Sequence, residues 1–147
     1  MKHIVAGTFI EKDGKYLLVK ENKGKIKGKW NIPAGSVDEG EFIEEAAIRE
    51  TFEETGYKVE ILDIGCIYNK VLNDNPIVGI VFHARIIGGE IKYDKEEISE
   101  VKWVTEEELM EIKDNLRIKL PILRCLENLK NNNFIPLDTI IKIREKL

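Results

Sequence analysis

The chain has little of what builds covalent cross-links or soft-metal centres. Its two cysteines, Cys66 and Cys125, stand alone without a CxxC pair, which leaves a reduced, intracellular pair as the reading and excludes a disulfide framework. The two histidines, His3 and His83, lie far apart with no ligand spacing, so a zinc site is not expected. No apolar run approaches the roughly 18 residues of a membrane span, and Met1-Lys2-His3 leads straight into a strand-like segment, so neither a membrane anchor nor a secretory leader is expected. Positive charge is not in excess. The formal net charge is −4, which gives no overall attraction to nucleic acid or an anionic membrane. Internal repeats and low-complexity linkers are absent. The expectation is a cytoplasmic protein, monomer or homodimer, with no nucleic-acid and no membrane partner.

What is there reads as one domain over residues 1–147. Hydrophobic residues make up 43% of the chain and charged ones 34%, a globular balance. His3 to Glu11 is apolar or small on both alternating sets, as in a strand covered on both faces. Lys12-Asp13-Gly14-Lys15 is a tight turn, and Tyr16 to Glu21 its partner strand. Tyr57 to Lys70 carries another strand, Asn73-Asp74-Asn75-Pro76 a turn, and Ile77 to Ile87 a central strand. Glu90 to Tyr93 is expected to add an edge. Val101 to Val104 is a short strand, and Thr105 with Glu108 a capping box opening a helix to about Ile112. Pro121 fits the first turn of a further helix to about Asn131, packing Ile122, Leu123, Leu126 and Leu129. The tail after Phe134 reads equally as a short strand or a helix. Taken in order, these strands and helices read as an α/β chain.

The organising stretch is Gly35 to Tyr57, GSVDEGEFIEEAAIRETFEETGY. Ala34 to Glu41 reads as a turn, and a helix follows from Glu41 or Phe42 to Thr55, with Gly56 as a left-handed stop. Glu50, Glu53 and Glu54 stand at i, i+3 and i+4, on one helix face. Clustered carboxylates suit a hard, oxygen-loving cation such as Mg²⁺. Glu45–Arg49 and Arg49–Glu53 are i, i+4 pairs, so Arg49 reads as the residue that orients a carboxylate. Ile48, Phe52 and Thr55 form an apolar stripe expected to face the core.

Gly35, Glu41, Arg49, Glu50, Glu53, Glu54 and Gly56 keep a spacing that resembles the signature of the Nudix (MutT-like) hydrolases. At residue frequencies of roughly 5–10% each, a chance match is on the order of 10⁻⁸ per window. Thr51 departs from the pattern, which usually carries a bulky aliphatic residue there. The resemblance covers nearly the whole chain. It implies the Nudix fold, an α/β/α sandwich with a mixed β-sheet, and cleavage of a phosphoanhydride in a nucleoside diphosphate derivative, with Mg²⁺, Mn²⁺ as a substitute, as cofactor. It implies Glu53 and Glu54 as metal ligands, the Gly35 carbonyl as a further ligand, and Glu50 as a ligand or as the base that deprotonates water. Many relatives add a glutamate from the loop before the Trp-Val strand; Glu97 is the first choice here and Glu100 the second.

Around the motif, Lys23, Lys25, Lys27 and Lys29 line one loop. They read either as a soluble loop or as a cationic rim, with Lys27 and Lys29 as substrate-binding candidates. Trp30 reads as core or as a ring that stacks on substrate. Arg85 is a candidate phosphate contact, and His83 reads as a sheet histidine. WNIPAG, NLRIKLPILRCLENL and FIPLDTI also look like the NudJ group of low-specificity phosphatases, which implies nucleoside di- and triphosphates or related small pyrophosphates as substrates. The Pro-Ala-Gly turn keeps an ADP-ribose or oxidised-nucleotide pyrophosphatase open. A non-catalytic nucleotide-sensing domain is a further alternative, although such domains tend to lose the carboxylates that this motif retains.

Overall fold

The structure is a computed structural model, and it describes residues 3–147. Seven strands and three α-helices follow in the order β1 (Ile4–Lys12), β2 (Lys15–Glu21), β3 (Trp30–Asn31), β4 (Ala34–Ser36), α1 (Ile43–Thr55), β5 (Tyr57–Leu72), β6 (Asn75–Gly89), β7 (Ile98–Thr105), α2 (Glu106–Glu111) and α3 (Lys119–Lys130). The strands form one mixed sheet ordered β3-β2-β1-β6-β5, with β4 on β1 and β7 on β2. β1 runs parallel to β6, and the other pairings are antiparallel.

The hairpins follow from turn chemistry. Asp13 and Gly14 both take positive φ (52° and 76°), as do Asn73 and Asp74 (49° and 65°). A two-residue turn of this kind matches the twist of antiparallel strands.

Strand alternation sorts the core into two layers. Ala6, Ile64, Ile80 and Phe82 point to α1 and meet Ala46 and Ala47. Phe9, Cys66 and Val81 point the other way, toward Leu109, Ile122, Cys125 and Leu126 from α2 and α3. Each large side chain fully buried in this way contributes about 1.5–3 kcal/mol. The expected sandwich of helices on a mixed sheet is the observed one.

Several local expectations are corrected. Ala34–Ser36 is a strand paired with β1, Val5 with Ser36, Ala6 with Gly35 and Gly7 with Ala34, so its backbone groups find partners on the sheet rather than closing a turn. Ile48 and Phe52 face solvent, at 38% and 49% exposure. The face of α1 that meets the sheet is the small-residue one, Ala46, Ala47, Thr51 and Thr55, since small side chains let the helix lie close. Glu90–Tyr93 forms no edge strand; Lys92 donates its N–H to the Thr55 carbonyl, 2.9 Å, and ties this segment to the end of α1.

Other expectations hold. Gly56 takes φ 85° and caps α1. Thr105 and Glu108 bond reciprocally at 3.1 and 3.0 Å, opening α2. The tail, by contrast, corrects both of its readings: it is neither strand nor α-helix but a bridge at Ile135 and a 3₁₀ turn at Leu137–Thr139.

Candidate active site

β4 and α1 set the site. β4 brings Gly35 alongside the helix, where the Glu50 carboxylate fills the space a Cβ on Gly35 would need. A Cβ there would have to displace the end of the Glu50 side chain, so glycine is favoured by contact rather than by φ.

Arg49 organises the turn and the helix together. Its guanidinium donates to both oxygens of Glu41, at 2.7 and 3.0 Å, to Glu50 at 2.9 Å and Glu53 at 3.3 Å, and to the Ser36 carbonyl at 3.0 Å. It also pairs with Asp38 at 3.2 Å. Hydrogen bonds from so many acceptors, Glu41 first, hold its pKa well above the ordinary arginine value. The rigid fork of arginine suits this task, and lysine could not reproduce it. Glu45 does not join Arg49. It accepts instead from the Phe42 N–H, 2.8 Å, at the start of α1.

Glu50, Glu53, Glu54, Gly35, Ala34 and Glu97 line one cleft of about 660 Å³, together with Glu21, Lys23, Asp94 and Arg117. Burial pushes the Glu50 carboxyl above its ordinary range, against the pull of Arg49. Burial, and then the Glu21 charge, push Glu54 well above it, although Glu54 accepts the Ala34 N–H at 3.2 Å. Such a site disfavours several ionised carboxylates at once unless a cation joins them. Among the described residues the carboxylates do not yet converge as a ligand cluster, since Glu50 bonds Arg49 and Glu54 caps Ala34. The all-oxygen donor set and the raised carboxyls nevertheless fit a hard divalent cation.

A family model described as the NUDIX domain matches residues 1–125. The chain belongs to the Nudix hydrolase family. It is 40% identical over 91 residues to the ADP-ribose pyrophosphatase of Methanocaldococcus jannaschii, covering 60% of this chain and 54% of that one. It is 31% identical over 107 residues to a MutT-like protein of Streptomyces ambofaciens, covering 73% and 66%. A solved Nudix hydrolase from Nitrosomonas europaea superposes with a TM-score of 0.87 at 27% identity, covering 97% of this chain and 98% of that chain. The chain spans about a third to two thirds of the length of curated relatives it matches. Nudix hydrolases use divalent metal ions such as Mg²⁺ and act on small phosphorylated nucleotides.

Of the residues singled out from the sequence, the Nudix cleft gathers Gly35, Glu50, Glu53, Glu54 and Glu97. Glu97 comes from the loop before β7 and pairs with Lys23 at 2.5 Å. Glu100 pairs in register with Lys20 on β2 and does not line the cleft. Lys27 and Lys29 do not line it either; Lys23 is the lysine of that loop which does. Trp30 is buried in the core beneath Lys20, whose ammonium lies 5.6 Å from its ring centre. Arg85 pairs with Glu60 on the neighbouring strand, 2.6 Å, away from the cleft lining. His83 is a buried sheet histidine, with Nε2 3.2 Å from the Cys125 carbonyl.

Glu21 and Arg117 were not foreseen. Glu21 ends β2 nearly buried and accepts from Arg117 at 2.6 Å; burial raises its carboxyl as well. A lone acid on the inward set Leu17, Val19, Glu21 was the available signal. Arg117 carries no local signal, since 96 positions separate it from its partner.

Proposed function

We propose that the cleft hydrolyses a phosphoanhydride bond in a nucleoside di- or triphosphate or a related small pyrophosphate, with Mg²⁺. The observation that carries this is the meeting of Glu50, Glu53, Glu54 and Gly35 from the motif with Glu97 from a distant loop around one space. When bound, Mg²⁺ offsets the charge of the diphosphate and makes water a better nucleophile. Glu53, Glu54 and the Gly35 carbonyl would hold it. Glu50, already raised in pKa and released from Arg49 by a small rotation, would be a further ligand or take the proton from water. Glu97 would serve as a second proton acceptor at the mouth, with Lys23 holding it and meeting phosphate oxygens. Lys27 and Lys29 would form an outer cationic rim.

The resemblance to the NudJ group supports loose specificity among nucleotides and small pyrophosphates. The archaeal relative named an ADP-ribose pyrophosphatase supports ADP-ribose as the second reading. Hydrolysis would be measured with Mg²⁺ over nucleoside di- and triphosphates and thiamine pyrophosphate, by phosphate release with and without inorganic pyrophosphatase, and over ADP-ribose and dinucleoside polyphosphates, whose cleavage frees phosphomonoesters or nucleotides rather than orthophosphate, by chromatography of the products. Direct orthophosphate from several nucleotides is the expected result. Signal only with the helper enzyme would mean that pyrophosphate leaves, and turnover of ADP-ribose alone would select the second reading. No hydrolysis of any substrate would overturn the hydrolytic assignment.

A further inference from the structure

On the far side of Arg117 lies a second pocket of about 410 Å³, between β5 and the start of α3. Lys70, Arg117, Lys119 and Arg124 line it, and no Asp or Glu does. In a chain of net charge −4, four cations around an acid-free hollow run against the overall balance. Lys70 is half-buried and has no acidic partner among the described residues, whereas Arg117 pairs with Glu21 at 2.6 Å, Lys119 with Asp114 at 2.6 Å and Arg124 with Glu127 at 3.9 Å. The Lys119 and Arg124 pairs are solvent-exposed and give way cheaply to a stronger anion. Burial, with Arg117 adding like-charge repulsion, lowers the pKa of Lys70, so an anion entering the pocket relieves a strain already present. Tyr68 forms an aromatic wall, and its ring lies over Gly79, where any Cβ would displace it.

Arg117 lines both the acidic cleft and this pocket. A substrate long enough to reach around this shared wall would present its diphosphate to the carboxylates and another group to the cations. We propose that this pocket binds a second phosphate of the substrate, remote from the anhydride that is cleaved, so that the enzyme prefers compounds phosphorylated at both ends. The proposal rests on the hydrolytic reading of the cleft. Coulombic attraction in a partly shielded pocket is stronger than at an open surface, and arginine forks suit phosphate oxygens.

The test compares matched substrates that differ by one remote phosphate: ADP with adenosine 3′-phosphate 5′-diphosphate, and ADP-ribose with ADP-ribose 2′-phosphate. The doubly phosphorylated member of at least one pair is expected to show a kcat/KM at least tenfold higher, mostly through KM. Lys70→Ala and Arg124→Glu should bring that ratio to near one while leaving kcat on ADP within twofold. A metal-free arm in EDTA uses adenosine 3′,5′-bisphosphate, which has no anhydride to cleave, and isothermal titration calorimetry. Binding is expected, weakened tenfold or more by Arg124→Glu and unchanged by Glu53→Gln. Hydrolysis of ADP or ADP-ribose without preference in either pair would overturn the proposal and leave the hydrolytic reading standing. Bisphosphate binding that depends on Arg124, with no hydrolysis of any nucleotide, would support the anion pocket and overturn the hydrolytic reading instead. Inorganic phosphate that binds with the same Arg124 dependence, but is not displaced by the bisphosphate, would mark a free-anion site and overturn the proposal.

Discussion

Gly35 and Glu50 occupy touching space: the Glu50 carboxylate sits where a side chain on Gly35 would begin. The contact joins β4 to α1 beside the cleft that both residues line. Gly35→Ala must push Glu50 aside or shift the strand. The expected result is a kcat loss of tenfold or more, with a stability cost of about 1–3 kcal/mol from overpacking. Steady-state kinetics and thermal melts on the same preparation check both parts. Full activity in Gly35→Ala would show that the position of Glu50 does not matter.

Glu53 separates chemistry from stability. Its side chain is 56% exposed, and its ion pair among the described residues, to Arg49, is 3.3 Å long. Exposed pairs of this kind contribute little to folding. Glu53→Gln should remove nearly all turnover and leave Tm within a degree or two. Retained activity would remove Glu53 from the metal-ligand set.

Glu97 reaches the cleft only through the loop before β7, held by Lys23. Glu97→Gln should cost on the order of 10²-fold in kcat, the usual scale for a proton acceptor, and alter the acidic limb of the pH–rate profile. Lys23→Ala should act mainly on KM. A loss of thermal stability in Glu97→Gln with unchanged kcat would make the pair a structural clip.

The legible part of the molecule was what local chemistry dictates. Asp13-Gly14 and Asn73-Asp74 announced hairpins, Gly56 a helix stop, and Thr105 with Glu108 a helix start, because each is a backbone requirement met within a few residues. The motif glutamates were legible for the same reason, being neighbours on one helix face. Thr55 is buried as expected, but Ile48 and Phe52 were misassigned because size was taken as the guide to burial. A helix laid close against a sheet needs Ala46, Ala47 and Thr51 at the contact, and Ile48 and Phe52 then point outward. Arg117 was illegible because its meaning depends on Glu21, which only the fold brings near.

The raised carboxyls make stability depend on pH in a definite direction. Burial and then the Glu21 charge push the Glu54 carboxyl well above its ordinary range in the folded state; burial shifts Glu50 the same way. Between the unfolded value and the raised folded value, the native state binds more protons than the unfolded one. Metal-free stability must therefore fall as pH rises through that window. Glu54→Gln should flatten the fall. Added Mg²⁺ should raise Tm more at the upper end of the window than below pH 4.5, where the carboxyls are protonated. Melts against pH in EDTA and in Mg²⁺ test this, and a Tm rise from Mg²⁺ that is the same at all pH values would argue against carboxylate ligation.

Thr51, the residue that departs from the usual aliphatic choice, is explained by Thr8 on β1. Both are fully buried, their hydroxyls lie 2.7 Å apart, and Thr51 donates onward to the Ala47 carbonyl at 2.8 Å. Thr8 can thus donate to Thr51, and the chain of hydroxyls ends on a backbone acceptor with nothing left over. Thr51→Val removes the acceptor for Thr8 and should cost about 1–3 kcal/mol, the penalty of a stranded buried polar group. Thr8→Val strands less, since Thr51 keeps its bond to Ala47. In the double variant no hydroxyl remains and the shapes are nearly conserved, so much of the loss should return. A double-mutant cycle by denaturant melts reads the coupling directly. Additive losses would mean that the aliphatic position of the motif tolerates threonine without help from β1, and strong coupling would show that the two substitutions belong together.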